Sequence, residues 1–480
     1  MDIILVRCNL QASSSLFSNY SITLEPFEQI LTIESVLLSI NPPTGSARAK
    51  LNENSTPESR PFIVLGTAYG YPDEDEPSQG RVLVIECNNS NTGGGNLKSD
   101  IDDDDSQLLR KVRQVADLPL TGGIYSIAPF YGGNILVSCG SNTIICQLSV
   151  SSLSKEFGGN PGDLVLKNVG SGHHGHIISL YIKSLVSSDK SLQNKRDQKK
   201  QLAIVGDIMR SVALVEYFPK HQVIEELARD FNSNFCTDIA MLTNNTYLAA
   251  ESFTNLFVLQ YNPNATTEQA RVRLDTVGQY HLGESVNKMI GGSLVMPSNN
   301  SSGNTGSRSA TGKGSPDKSS SRDGNRKIDI TIGSQTLYGT VDGTLGSILG
   351  LGGKTFAFLS SLQRAMDAIV RPVGDLSHAH YRAWKQEQKT HGSCGFVDGD
   401  YIETFLDLSR PNMERVVKEM NIDGKWNILD DGKGFKERDE SQSSLMDTDE
   451  GMDTGSSGVS SGALTVEDVL SVVEDLSQLH

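Results

Sequence analysis

Three histidines stand within four residues, His173, His174 and His176, and such a cluster is where a transition metal is sought first. Zinc sites combine imidazole with cysteine thiolate or carboxylate close by. Here the histidines sit in a glycine-rich stretch, Gly170 to Gly175, with neither as a neighbour. The stretch reads as a solvated loop entering a strand at Ile177, and no metal is expected. An enzyme built on this cluster is the least favoured reading. Asp207 lies three residues before Arg210. That spacing serves an acid with a charge partner, or a structural ion pair or interaction contact at a hairpin corner, and the corner is the commoner use. The six cysteines, Cys8, Cys87, Cys139, Cys146, Cys236 and Cys394, form no CxxC pair. Neither a zinc ribbon nor a disulfide scaffold is indicated, and a reducing compartment fits. No P-loop, GxSxG, HExxH or dinucleotide fingerprint occurs. No nucleophile, base and oxyanion site assemble, so neither catalysis nor a cofactor is expected.

The formal net charge is −16. An acidic chain repels phosphate and anionic headgroups, which argues against indiscriminate nucleic-acid binding and leaves a DNA role to a partner. No apolar run is long enough for a transmembrane helix, and Met1 to Val6 lacks the flanks of a signal peptide, so no membrane association is expected.

The elements that would carry an interaction surface are β up to about Gly350. Short runs of Val, Ile, Leu and Tyr are punctuated by Gly, Asn and Asp. Five hairpins repeat. They are Phe62–Ala68 with Arg81–Glu86, Ile135–Ser138 with Thr143–Leu148, and Leu202–Gly206 with Val212–Tyr217. Tyr247–Glu251 with Leu256–Tyr261 and Leu337–Thr340 with Leu345–Leu349 follow. Gly140-Ser141 and Asp342-Gly343 are the clearest turns, because these residue types tolerate positive φ. From Val205 to Ala249 the repeat is 44 residues, near the roughly 40–50 of a propeller blade. A β-propeller, partial or complete, is favoured over a sandwich of ordinary hairpins. Polar inserts near 88–106 (with the acidic run Asp102 to Asp105), 187–201 and 297–325 interrupt it, and their composition predicts disorder.

From Lys354 the period turns helical. Leu359, Leu362, Met366, Ile369 and Val370 share a face that ends at Pro372, and Tyr381 with Trp384 marks a second amphipathic segment. Asp400 opens a third, with Ile402, Phe405 and Leu406. Ser409 caps a fourth that allows Pro411 in its first turn. Thr465 and Asp468 form a capping box before Val466, Val469, Leu470, Val473 and Leu476, and Leu464 can staple to Val469. The expected architecture is therefore mainly β, a propeller over 1–350, followed by a small C-terminal α-helical domain over 354–480 with a polar insert near 437–462.

Eight blocks carry a resemblance. They are GTAYGYPDEDEPSQGRV (Gly66 to Val82), GDIMRSV (Gly206 to Val212), ARDFNSNF (Ala228 to Phe235) and AESFTNLFV (Ala250 to Val258). The others are HLGESVN (His281 to Asn287), YGTVDGTLG (Tyr338 to Gly346), GFVDGDYIETFLDLSRPNMERVV (Gly395 to Val417) and VEDVLSVVEDLSQLH (Val466 to His480). Together they resemble the C-terminal part of the family of the DNA damage-binding large subunit. A cleavage/polyadenylation subunit and a splicing-factor subunit share that architecture.

The resemblance implies three propellers and a helical domain, of which this chain would hold most of the third propeller and the helical domain, as a fragment of a longer protein. It implies a non-catalytic adaptor of a cullin–RING ubiquitin ligase, nuclear and also cytoplasmic. Such an adaptor binds WD-repeat substrate receptors between its first and third propellers and links DNA damage recognition to ubiquitination. The cullin would dock on propellers absent from this chain, and damaged DNA would be reached through a partner subunit. The alternative is a nucleic-acid-processing scaffold in mRNA polyadenylation or splicing. The receptor face carried over by the resemblance is Ala68, Tyr125, Ser126, Ile178, Leu180, Tyr181, Ile208, Arg210, Phe235, Thr237, Asn255, Phe257, Asn287 and Val341. Arg229 would pair with receptor carboxylate or backbone. Arg210 and Phe257 are expected at the centre of an exposed landing surface for a short helix or helical hairpin with acidic and aromatic anchors.

Overall fold

A computed structural model describes residues 2–4, 21–40, 59–89, 110–150, 163–185, 201–293, 308–309, 331–386, 389–422, 426–428, 435–437 and 464–478. The four polar inserts fall almost wholly outside these residues, as does Cys8. The fold is mainly β, with the antiparallel sheets of a partial β-propeller followed by a small helical part. The chain forms two compact units, Met1–Thr246 with Gln260–Asp275 and Tyr247–Leu259 with Thr276–His480.

In the first unit, strands β1 (Glu28–Ser39), β2 (Ser59–Tyr69), β3 (Gln79–Asn89) and β4 (Arg110–Thr121) pair in chain order. So do β5 (Ile124–Phe130), β6 (Asn134–Cys139), β7 (Asn142–Val150) and β8 (Leu164–Asn168), with the short β9 (His173–His174) added beside β7. The third sheet is β10 (Ser179–Ser184), β11 (Gln201–Asp207), β12 (Val212–Phe218) and β13 (Val223–Arg229). Four antiparallel strands in chain order are the organisation of a propeller blade.

The predicted hairpins are the two central strands of these sheets, in registers such as Phe62↔Glu86, Ile135↔Cys146 and Leu202↔Glu216. Their apolar runs are nearly continuous because both faces are covered. The outer strands went unread because they are half exposed. β13, for instance, runs Val-Ile-Glu-Glu-Leu-Ala-Arg, with only Ile224 and Ala228 buried. Gly140 has φ 57°, as its turn requires.

Each sheet buries one face against the next. Val36, Leu38, Phe62, Val64, Val82 and Val84 of the first meet Ile124, Ile127, Ile135 and Val137 of the second. Phe130, Leu136 and Ile145 of the second meet Ile182, Ala203, Val205, Val215 and Tyr217 of the third. Each such side chain contributes about 1.5–3 kcal/mol by leaving water. Hydrogen bonds add register between sheets, with Ile182 N–H donating to Ser126 Oγ at 3.1 Å and Ser179 N–H to Gly140 O at 3.0 Å. Strand β14 (Cys236–Met241) follows the third sheet.

The second unit holds most of β15 (Thr246–Glu251), β16 (Asn255–Tyr261) and β17 (Leu274–His281), neighbours in one sheet. It also holds β18 (Val286–Gly291), β19 (Thr331–Thr340) and β20 (Leu345–Leu351), the last two joined at the Asp342-Gly343 turn, where Gly343 has φ 96°. Helices α1 (Gly353–Ile369), α2 (His378–Tyr381), α3 (Gly399–Glu403), α4 (Arg410–Ile422) and α5 (Val466–Ser477) come next. One core unites Phe358, Leu359, Leu362 and Met366 with Ile402, Phe405, Met413, Val416, Val417, Met420, Leu464, Val466, Val469 and Val473.

The amphipathic helix expected around Tyr381 and Trp384 is reduced to the single turn of α2. Trp384 begins a short strand instead, and its ring packs edge-on against Phe257 with centroids 6.0 Å apart. That contact outweighs helix propensity, which is worth only tenths of a kcal/mol per residue.

The predicted capping box is present. Thr465 Oγ1 accepts from Asp468 N–H at 3.3 Å, and Asp468 Oδ2 accepts from Thr465 N–H at 2.9 Å. Replacing Thr465 with Ala should therefore lower stability by about 1 kcal/mol in urea unfolding, while Thr465→Ser should stay near wild type.

Candidate interaction surface

Strand β11 ends on Gly206-Asp207, and the chain turns through Ile208-Met209-Arg210-Ser211 into β12. Ser211 takes the left-handed φ of 54° that closes the turn. Asp207 is 1% exposed. Its Oδ1 accepts from the backbone N–H groups of Met209 at 2.8 Å and Arg210 at 3.0 Å, which is how an aspartate builds a turn on its own following residues. Its Oδ2 accepts from Ile177 N–H at 2.6 Å. One carboxylate thus fastens two loops, and Ile208 N–H adds a bond to Ile178 O at 3.1 Å.

A second buried carboxylate shapes the third loop. Asp230 accepts from Ser211 Oγ at 2.6 Å, from Asn232 N–H at 3.1 Å and from Asn234 Nδ2 at 3.3 Å. Burial pushes its carboxyl above the usual carboxylate range despite these bonds.

The arginines come next. Arg210 Nη1 and Arg229 Nη2 both donate to Gly175 O, at 3.0 and 2.9 Å. Arg229 also forks onto Glu226 at 2.9 and 2.5 Å. Burial alone would raise the Glu226 carboxyl, but the Arg229 hydrogen bonds and charge hold it low. Gly175 admits no side chain, because a Cβ there would strike the His173 imidazole. Of the uses open to Asp207 beside Arg210, an ion pair between the two side chains does not form. Asp207 is spent on backbone N–H groups, so the Arg210 guanidinium remains exposed.

The histidine cluster is not a solvated loop. His173 and His174 pair with Thr143 and Asn142 as β9, which turns His176 inward until its side chain is fully buried. Its Nδ1 stands 3.7 Å from Asp207 Oδ2, and neither ring nitrogen has a hydrogen-bond partner among the described residues. Burial, then the nearby His173 and Arg229, push its pKa down to about 3. Glu226 and Asp207, the carboxylates closest to this cluster, are already committed to Arg229 and to backbone N–H groups.

Around the three loops lie side chains that the sequence reading passed over. Ile177, Met209 and Phe231 are 40%, 47% and 68% exposed, and Phe235 is exposed as well. Of these, Met209 and Phe231 line an open depression of about 520 Å³ together with Gly175, Arg210, Glu226 and Arg229. For Met209, Phe231 and Phe235 the sequence signal is an apolar residue close to a turn-forming Asp or Asn, and Ile177 lacks it.

The predicted residues fall into five groups. Ile178, Ile208, Arg210, Arg229 and Phe235 belong to the three loops or their margins. Leu180 and Tyr181 lie at a bulge in β10, where Tyr181 packs over Gly206 and its phenol is pushed up to about 12 by burial and then the Asp238 charge. Thr237 is half-buried on β14.

Ala68 and Tyr125 meet at Gly123, where a Cβ would come within 3.1 and 3.3 Å of them, and Ser126 is half-buried, its hydroxyl accepting the bond from Ile182. In the second unit Asn287 and Val341 are exposed, but Asn255 and Phe257 are buried at 1% and 0%. Phe257 was expected on the landing surface and is instead covered by Trp384.

A family model described as the CPSF A subunit region matches residues 10–157 and 178–407. The chain belongs to that family. Among curated relatives, DNA damage-binding protein 1 of Oryza sativa subsp. japonica is 32% identical over 363 residues, covering 75% of this chain and 27% of that protein. DNA damage-binding protein 1 of Solanum lycopersicum is 32% identical over 367 residues, 76% of this chain and 27% of that protein. DNA damage-binding protein 1a of Arabidopsis thaliana is 32% identical over 369 residues, with the same two shares. The chain thus spans about a quarter of the length of the curated relatives it matches. The family and these relatives agree with the resemblance carried by the eight sequence blocks.

The buried His176 makes stability depend on pH. Folded, it binds its proton only near pH 3, whereas an unfolded histidine binds it near the ordinary imidazole value of about 6.5. The unfolded state therefore takes up more protons between those values, and stability falls as pH falls through that window. From pH 7.5 to 5 the loss from this group should be roughly 2 kcal/mol. His176→Gln should flatten the slope in urea unfolding across that range.

Proposed function

We propose that this chain is the receptor-binding portion of a non-catalytic adaptor of a cullin–RING ubiquitin ligase, nuclear, acting where DNA damage recognition is coupled to protein turnover. The observation that carries the reading is the corner at Arg210. A cation and four exposed apolar side chains, Ile177, Met209, Phe231 and Phe235, stand on loops locked from beneath by Asp207 and Asp230. Arginine and aromatic anchors on a preorganised surface are the usual hot spots for an inserted helix. The partners are WD-repeat substrate receptors. Their contacts on the first unit would centre on Arg210, Phe235 and the half-buried Ile178, Ile208 and Tyr181, and reach toward Tyr125 beside Ala68. Asn287 and Val341 would serve on the second. The cullin would be held by parts of the longer protein that lie outside this chain, and damaged DNA by a partner subunit.

The name of the matched family keeps a second reading in view, a scaffold of mRNA polyadenylation or splicing. The net charge of −16 weighs against direct contact with a phosphate backbone.

Affinity capture of the full-length protein should return WD-repeat receptors, and Arg210→Glu should weaken their binding by about tenfold or more while the chain keeps its fold. Recovery of polyadenylation or splicing subunits alone would move the assignment to the second reading. Loss of the folded signal in Arg210→Glu would make that residue structural.

A further inference from the structure

The second unit has a corner of its own, and it differs from the one the resemblance implies. Asn255 Nδ2 donates to Lys385 O at 2.7 Å, and its Oδ1 lies 2.8 Å from His281 Nδ1. With Trp384 over Phe257, both residues are closed off by the segment from Tyr381 to Lys385. The exposed aromatics on the neighbouring segments are a different pair, Phe253 at 36% and Tyr381 at 42%. Their loops are tied together. Leu282 and Gly283 N–H donate to Thr254 O at 3.0 and 3.2 Å, and a Cβ on Gly283 would sit 3.3 Å from the Tyr381 hydroxyl. Val341, also exposed, continues the surface through its N–H bond to Ser285 O at 2.9 Å.

Two cations stand beside the Tyr381 ring, and they differ in their partners. Arg382 lies 4.8 Å over the Tyr381 ring, but Asp398 balances it at 2.6 Å. Lys385 Nζ stands 5.5 Å over the same ring and makes no ion pair among the described residues. Its field is felt next door, where His281 is held below its ordinary value by burial and then by Lys385 and Arg382. The nearest carboxylate on the adjoining loop, Glu284, is engaged by Thr340 Oγ1 at 2.8 Å.

The corner is also stiff. Asp398 accepts from His378 Nε2 at 2.8 Å, from Arg382 Nε at 2.6 Å and from Tyr401 N–H at 3.3 Å, and its own N–H donates to Gln363 at 2.8 Å. It therefore ties α2, which ends on Tyr381, to α3 and α1.

We propose that Phe253, Tyr381 and the Lys385 ammonium form an interaction surface of the second unit for an acidic, partly apolar segment of a protein partner. A carboxylate would meet Lys385 while apolar side chains cover the two rings. The inference rests on the reading of the chain as a protein-binding adaptor, and it uses none of the first unit's residues.

Fluorescence anisotropy with the whole chain tests it, using a labelled amphipathic helical peptide of Leu and Glu and a counterpart with Lys in place of Glu. The Glu peptide should bind, more weakly as salt rises, and the Lys peptide should not. Tyr381→Ala and Lys385→Glu should each weaken binding by about tenfold or more, with Lys385→Arg near wild type. Equal binding of the two peptides, or wild-type affinity in Lys385→Glu, would overturn the proposal. So would loss of binding in Arg210→Glu with Lys385→Glu unaffected, since the peptide would then sit on the first unit. Failure of the adaptor reading itself would show separately, as no receptor captured although the Glu peptide still distinguishes Lys385→Glu from wild type.

Discussion

The carboxylate of Asp207, buried at the end of β11, accepts three backbone N–H groups drawn from two loops, and most of the interaction surface depends on that arrangement. Without it the Ile177 loop and the Met209–Arg210 turn would be joined only by the Ile208 N–H bond to Ile178 O and the Arg210 bond to Gly175 O. A charged acceptor bonded to backbone N–H groups makes hydrogen bonds about twice as strong as neutral ones, and burial excludes competing water. Asp230 repeats the device one loop later. The protein therefore uses its negative charges from below, to fix backbone, and leaves Arg210 as the charge shown to solvent. In a chain of net charge −16 this makes the corner electrostatically distinct from the rest of the surface.

The β architecture was legible in the sequence where strands are covered on both faces. Hairpins such as Leu202–Gly206 with Val212–Tyr217 carry apolar runs that few other structures would bury. Outer strands such as β13 were not legible, because half-exposed strands with paired glutamates look like loops or helices. The terminal helix was readable from Thr465, Asp468 and its apolar stripe, since a capping box is local chemistry. Trp384 was misplaced because its environment is set by Phe257, more than a hundred residues earlier in the chain, and no local pattern records such a partner.

The site was legible in part. Arg210 beside Asp207 marked the corner around which the exposed anchors stand, and of the two uses open to that corner the ion pair is absent. The aspartate is occupied by backbone and the arginine reaches Gly175 O. His176 was misjudged. A glycine-rich stretch reads as solvated, yet here glycine permits close approach, with Gly175 pressed against His173 and Arg229. Phe257 shows the limit of carrying contacts over by resemblance, since a residue can keep its type while its neighbours take the surface position.

Amide hydrogen exchange with and without a bound WD-repeat receptor tests the central claim most directly. Slowed exchange confined to residues 175–178, 208–211 and 230–235 is the predicted result, because these loops carry the exposed anchors. Unchanged exchange in those three loops, with protection appearing elsewhere on the chain, would contradict the account.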